Sequence, residues 1–167
     1  MTQRSRRFGA HLPEFRRGVR ISVDVGMARV GVAKCDSAGI LATPLATLAR
    51  GKNDLGQVAR WVNDFDAIEV VVGLALNMDG TEGKSAKECR RWARRLAKRV
   101  DVPIRLVDER MSTVTAHRQL HEAGRAEISH RAVVDQVAAV IILESALQFE
   151  KNTGREPGEL IERTNDV

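Results

Sequence analysis

The sequence predicts an α/β fold: a mixed sheet of three antiparallel strands followed by parallel strands, with helices on both faces. Three observations carry that expectation. Short β-patterned segments follow one another at 21–25, 30–35 and 40–43, with turn residues between them. A near-continuous apolar segment, Ile68 to Val72, is flanked by stretches whose apolar residues recur at helical spacing. A final segment, from about Ser129 to Glu150, is apolar almost all round.

The first strand, Ile21 to Val25, is joined through Gly26-Met27-Ala28-Arg29 to a second, Val30 to Cys35, and Gly39 turns the chain into a third, Ile40 to Thr43. Connections this short make the three antiparallel neighbours. Asn53 or Asp54 can cap a helix carrying Leu55, Val58, Ala59, Val62 and Phe65 on one stripe. The next strand, Ile68 to Val72, runs into Gly73. Its unbroken apolar character suits a sheet covered on both faces, and the helical link implies parallel pairing. Beyond the turn Asn77-Met78-Asp79-Gly80, a helix from about Ser85 to Val100 buries Ala86, Cys89, Ala93, Leu96, Ala97 and Val100. Pro103 to Glu109 is a further strand, and Ser112 or Thr113 caps a short helix ending near Gly124. The last helix packs deep against the sheet, with Asp135 in its first two turns.

At 167 residues and 43% hydrophobic content the chain has one domain, at 19–150, between a basic flexible arm at 1–18 and a disordered tail at 151–167. No apolar run approaches a membrane span, and the first residues lack the apolar centre of a secretion signal, so the expected location is cytoplasmic. Cys35 and Cys89 fall inside predicted elements without metal-type spacing and read as reduced core residues. The net charge of +5 suits a polyanionic partner. Arginines crowd the first twenty residues, and Lys84, Lys87, Arg90, Arg91, Arg94, Arg95, Lys98 and Arg99 share one predicted helix. A solvated face explains that helix as well as a phosphate-binding one.

Asp24 is the residue that packing does not explain. An unpaired carboxylate in a strand built for burial costs several kcal/mol or neutralises itself, so it needs a partner. A strand-end acid bonded to backbone N–H groups is one answer and a bound cation is another. Asp108 and Glu109 end a later parallel strand, and Asp135 lies on the buried helix. In a mixed sheet with the first strand central, all of these reach one edge. Carboxylates gathered there repel one another unless cations intervene, and Mg2+ (or Mn2+) is the hard, oxygen-seeking choice. Two such ions about 4 Å apart activate a water and stabilise the leaving oxygen during attack on a phosphodiester. Strand alternation lets only one of Asp108 and Glu109 face the site, and the longer reach of Glu109 favours it. Arg29 and Arg110 stand beside these acids, where they can hold substrate phosphates or form salt bridges to the acids. Ser112 and Thr113 can bond a phosphate or simply cap a helix. His117 and His121 have a zinc-compatible spacing, but Arg118 stands where a zinc protease has its acid, which counts against zinc.

The element order is that of the RNase-H-like fold, and four blocks in sequence resemble the YqgF/RuvX family of nucleases. They are Asp24-Val25-Gly26 with Arg29 and Gly31-Val32-Ala33; Val72-Gly73-Leu74 with Asn77-Met78-Asp79-Gly80 and Gly83; Asp108-Glu109-Arg110 with Ser112-Thr113; and Asp135-Gln136 with Ala138-Ala139 and Ile142-Leu143. Ala75 departs from the family's usual proline. The resemblance implies a catalytic and metal-binding set of Asp24, Glu109 and Asp135. It also implies hydrolysis of structured nucleic acid to 5′-phosphate and 3′-hydroxyl ends by a monomer or homodimer. The implied substrate is the 5′ end of precursor 16S rRNA in ribosome biogenesis, or, alternatively, four-way DNA as for a Holliday junction resolvase. A non-catalytic RNA-binding assembly factor is a further alternative. A phosphotransferase of the actin type shares the sheet but needs two such domains, and this chain has one.

Overall fold

The computed structural model describes residues 15–112 and 131–163. Six strands form one sheet in the order β3-β2-β1-β4-β5-β6, from β1 (Arg20–Val25), β2 (Arg29–Cys35), β3 (Ala42–Ala49), β4 (Glu69–Leu74), β5 (Ile104–Asp108) and β6 (Glu159–Leu160). β1, β2 and β3 pair antiparallel, β1 pairs parallel with β4, and β4 pairs parallel with β5. The predicted mixed sheet is therefore the observed one. Helices α1 (Asp54–Asp64) and α2 (Lys84–Ala97) cover one face, and the long helix α3 (Arg131–Thr153) crosses the other.

Alternation sorts the strand residues between these faces. Ile21, Val23, Val25, Val30, Val32, Val70, Val72 and Leu74 pack against Leu55, Val58 and Val62 of α1 and Ala86, Cys89, Trp92, Ala93 and Leu96 of α2. Ala33 and Cys35 meet Ala139, Leu143 and Leu147 of α3, and Val71 and Val107 meet Ile142 and Ala146. Ser22, fully buried, donates its Oγ–H to the Ala139 carbonyl at 2.6 Å and ties the middle of α3 to β1.

Several expected boundaries move. The third strand is Ala42–Ala49, and Ile40 and Leu41 lie outside it, exposed. Pro44 reads as a strand breaker, but β3 is an outer strand and its register shifts beside Ala33, which accommodates a residue without an N–H. Asn53 stands at the N-cap of α1 in a left-handed conformation without a side-chain cap, so neither it nor Asp54 caps the helix as expected. Asp54 instead accepts from Trp92 Nε1 at 2.9 Å and from the Gly51 N–H at 3.2 Å. The short helix expected after Ser112, with His117 and His121, lies outside the described residues.

Neither flank begins where composition put it. Residues 151–163 are not a disordered tail: α3 runs to Thr153, β6 pairs antiparallel with β5, and Ile161 enters the core. Residues 15–18 likewise belong to the domain, with the Phe15 ring under the Arg20 guanidinium at 4.5 Å. Arg16 pairs with Glu69 and Glu150. These contacts join a buried ionic cluster in which Arg20 binds Glu150 at 2.7 Å and Arg105 binds Glu69 at 2.9 Å and also Glu156. Arg20 and Glu69 are register partners in β1 and β4, so the cluster straps the start of the parallel strands to the end of α3.

Candidate active site

Asp24 shares the α3 face of β1 with Ser22 and Arg20 and sits near the strand's C-terminal end. Its neighbours across the sheet are glycines. Gly31 is its register partner in β2, and Gly73 lies one residue past the Val23–Val72 pair in β4. Both create space that other groups enter. A Cβ at Gly31 would stand 2.0 Å from the Asp135 carbonyl oxygen, so only glycine lets α3 come this close to the sheet. A Cβ at Gly73 would stand 2.6 Å from Glu109 Oε1 and 2.6 Å from Ile142 Cδ1. The two gaps beside Asp24 are thus filled by the backbone of one acid and the carboxylate of another.

The electrostatics follow from that crowding. Burial pushes the Asp24 carboxyl well above its ordinary range, reinforced by the charge of Glu109, a hydrogen bond shared with it, and the charge of Asp135. Asp135 is turned toward Arg29, whose Nε–H donates to Oδ2 at 2.7 Å. Gln136 anchors the same helical turn by donating to Thr47 Oγ1 of β3 at 3.1 Å. Asp108 points elsewhere: it accepts from the Arg110 N–H at 2.9 Å and from Nη2 at 2.8 Å, and these bonds hold its carboxyl below the usual range.

The structure therefore brings Asp24, Glu109 and Asp135 to one end of the sheet, and of the two acids closing β5 it is Glu109 that faces Asp24. Arg29 reaches that group by pairing with Asp135. Arg110 stands at its border, on Asp108 and near the Met78 carbonyl at 3.5 Å. Ser112 ends the single 3-10 turn Glu109–Ser112 that follows β5, and Thr113 lies outside the described residues. Gly31, Gly73 and Ser22 shape the site as much as the acids do. Their signal in the sequence is a small residue set between apolar ones in each of three different strands.

The donor set is chemically suited to a hard divalent cation, since it offers carboxylate oxygens in a buried place that disfavours their charge. Among the described residues, no three side chains already stand in ligand geometry. The Arg29–Asp135 pair engages one of the three carboxylates.

A mixed sheet in this order, with acids on its central strand, after a parallel strand and on the crossing helix, defines the RNase-H-like class. Thermus thermophilus RuvC, solved with a Holliday junction, shares the fold at a TM-score of 0.56 and 13% identity, over 86% of this chain and 99% of that one. The chain belongs to the RuvX family, whose model, described as Holliday junction resolvase, matches residues 18–149. A relative from Nocardioides sp. is 50% identical over 155 residues, covering 89% of this chain and 99% of its own. One from Streptomyces coelicolor is 48% identical over 153 residues, covering 90% and 92%. Both carry the name "Putative pre-16S rRNA nuclease".

Proposed function

We propose that this protein is a metal-dependent nuclease that hydrolyses phosphodiester bonds in structured nucleic acid, with Asp24, Glu109 and Asp135 as its catalytic and metal-binding acids. The observation that carries this reading is the meeting of Glu109, in the gap at Gly73, and the Asp135 turn of α3, against Gly31, on either side of the buried Asp24, a crowding that raises the Asp24 carboxyl above its ordinary range. Folding spends stability to hold like charges together, a cost with a return only if a cation joins them. Asp24, Glu109 and Asp135 would hold Mg2+ or Mn2+, which supplies Lewis-acid activation of water and charge neutralisation at the phosphate. The chain's own part is to orient these carboxylates. Burial and the neighbouring Glu109 make the Asp24 carboxyl hold its proton more tightly, and it must release that proton before it can act as a ligand. Hydrolysis adds water to phosphorus and breaks the bond to the 3′ oxygen, leaving 5′-phosphate and 3′-hydroxyl ends. Arg29 and Arg110 lie where they can exchange their carboxylate partners for substrate phosphates.

Precursor 16S rRNA, processed at its 5′ end, is the substrate we favour, because the curated relatives that cover most of this chain carry that name. Four-way DNA is the second reading, supported by the family's description. The test is incubation of the purified protein, with Mg2+ or with chelator, against a precursor rRNA fragment and a four-way junction. Asp24→Asn is run alongside. Metal-dependent cleavage of one substrate, lost in the variant while binding persists, supports the proposal. Absence of cleavage of either substrate by the unaltered protein overturns it.

A further inference from the structure

The face of the sheet opposite the acids carries a polar cavity of about 390 Å³, lined by Met27, Arg50, Asp54, Glu88, Arg95 and Arg99 among others. Its wall begins at the turn that follows Asp24. Arg50 donates from Nη1 to the Gly26 carbonyl at 3.0 Å, its backbone N–H bonds the Ala28 carbonyl at 2.9 Å, and Met27 completes that side. The cavity therefore adjoins the loop that carries Arg29 to the acid cluster.

The cavity's two acids are already engaged. Asp54 is buried and accepts from Trp92 and Gly51, while Glu88 binds Arg50 at 3.2 Å. Arg95 and Arg99 are different: both are exposed, and their guanidinium groups have no hydrogen-bond or ion-pair partner among the described residues. Arg91, also exposed, and Arg95 stand one four-residue step apart on α2, about 6 Å, and Arg99 follows at the same sequence spacing in the turn just past the helix. Like charges in such a row oppose helix formation. An anion with regularly spaced charges relieves that opposition, and a nucleic acid backbone is such an anion.

We propose that Arg95 and Arg99, at the cavity, form a phosphate-binding track that holds a segment of the substrate strand away from the acid cluster. The inference rests on the nuclease reading for the identity of the strand, but its test needs no cleavage. The guanidinium forks of Arg95 and Arg99 contact non-bridging phosphate oxygens, and the Arg91-Arg95-Arg99 row sets the direction in which the strand leaves the β1–β2 turn.

The test measures binding by fluorescence anisotropy in chelator, as a function of salt, with a labelled RNA hairpin in one arm and a labelled four-way DNA junction in the other. The proteins are the unaltered chain, Arg95→Gln/Arg99→Gln, and a control, Arg94→Gln/Lys98→Gln, which removes the same charge from exposed positions of α2 and its C-cap that do not line the cavity. Each arginine–phosphate pairing that is removed flattens the slope of log K against log salt by about 0.7 to 0.9. The expected result is a slope reduced by roughly 1.4 to 1.8 for the cavity pair and a much smaller change for the control, on whichever probe binds. An unchanged slope for the cavity pair overturns the inference. So does an equal reduction in the control, which would mean general attraction and no track. A protein that binds through Arg95 and Arg99 yet never cuts would leave the track standing and remove the nuclease reading alone.

Discussion

Arg29 Nε lies 2.7 Å from Asp135 Oδ2, so the helix acid of the site is paired with the arginine that opens β2, directly after the turn that follows Asp24. The contact is internal to the site, and it holds a carboxylate that the proposed metal also needs.

Arg29→Ala should therefore tighten Mg2+ binding while weakening substrate binding. The pair is partly exposed, which limits the gain to about two- to fivefold, equivalent to at most about 1 kcal/mol. Calorimetric titration of the protein with Mg2+, without nucleic acid, checks the first effect. An unchanged affinity would mean that Asp135 does not have to leave Arg29 to bind the metal.

The metal-free protein should lose stability at Asp24 as pH rises. The folded carboxyl binds its proton more tightly than the unfolded one, so between about pH 4 and the raised folded value the native state holds the extra proton. Stability contributed by that proton is present at the acid end of the window and is lost as pH climbs through it. Asp24→Asn removes the titration. The difference in melting temperature between variant and unaltered protein, measured in chelator, should thus widen in the variant's favour toward neutral pH, and a constant difference would contradict the crowding.

Gly31→Ala and Gly73→Ala should fail in different ways. The first drives a methyl into the backbone of Asp135, which cannot move without displacing α3, so a loss of about 1–3 kcal/mol or more is expected. The second meets the Glu109 carboxylate and the tip of Ile142, which can give way. Thermal melts should show the larger shift for Gly31→Ala. Cleavage assays on folded protein should show Gly73→Ala to be damaged well beyond its stability loss.

Glu150→Leu should unfold the domain more readily without changing the chemistry of what remains folded. Arg20, only 2% exposed, would lose its carboxylate partner, and breaking such a buried pair costs about 3–5 kcal/mol. For a domain of this size that is a fall in Tm of roughly 6–20 °C. Metal affinity should be unaltered, because the ionic cluster and the acids sit at opposite ends of the α3 face.

The mixed sheet and the gathering of the three acids at one end of it were legible because both rest on local signals: apolar runs of defined length, glycine turns, and carboxylates where burial forbids them. The ionic cluster obeys the same logic but went unread. Arg20, Glu69 and Arg105 each lie at or near the start of a strand on the α3 face, and each is a charge in an apolar setting, as Asp24 is. Their partners were invisible because Arg16 and Glu156 lie in flanks whose composition suggests disorder, and because only the register of β1 on β4 shows that Arg20 and Glu69 stand side by side. β6 is two residues long and has no pattern of its own; its place depends on β5 and on Ile161 reaching the core. Trp92 escaped the predicted buried stripe because its burial depends on Asp54, a residue from another helix.

The sheet's two borders share a property with consequences beyond the single molecule. On one side Pro44 and the register shift beside it interrupt the row of amide donors that β3 would otherwise offer to solvent. On the other, β6 exposes only a two-residue rung. Among the described residues both borders are therefore poor templates for a further strand from a neighbouring molecule, which disfavours edge-to-edge aggregation of the folded chain.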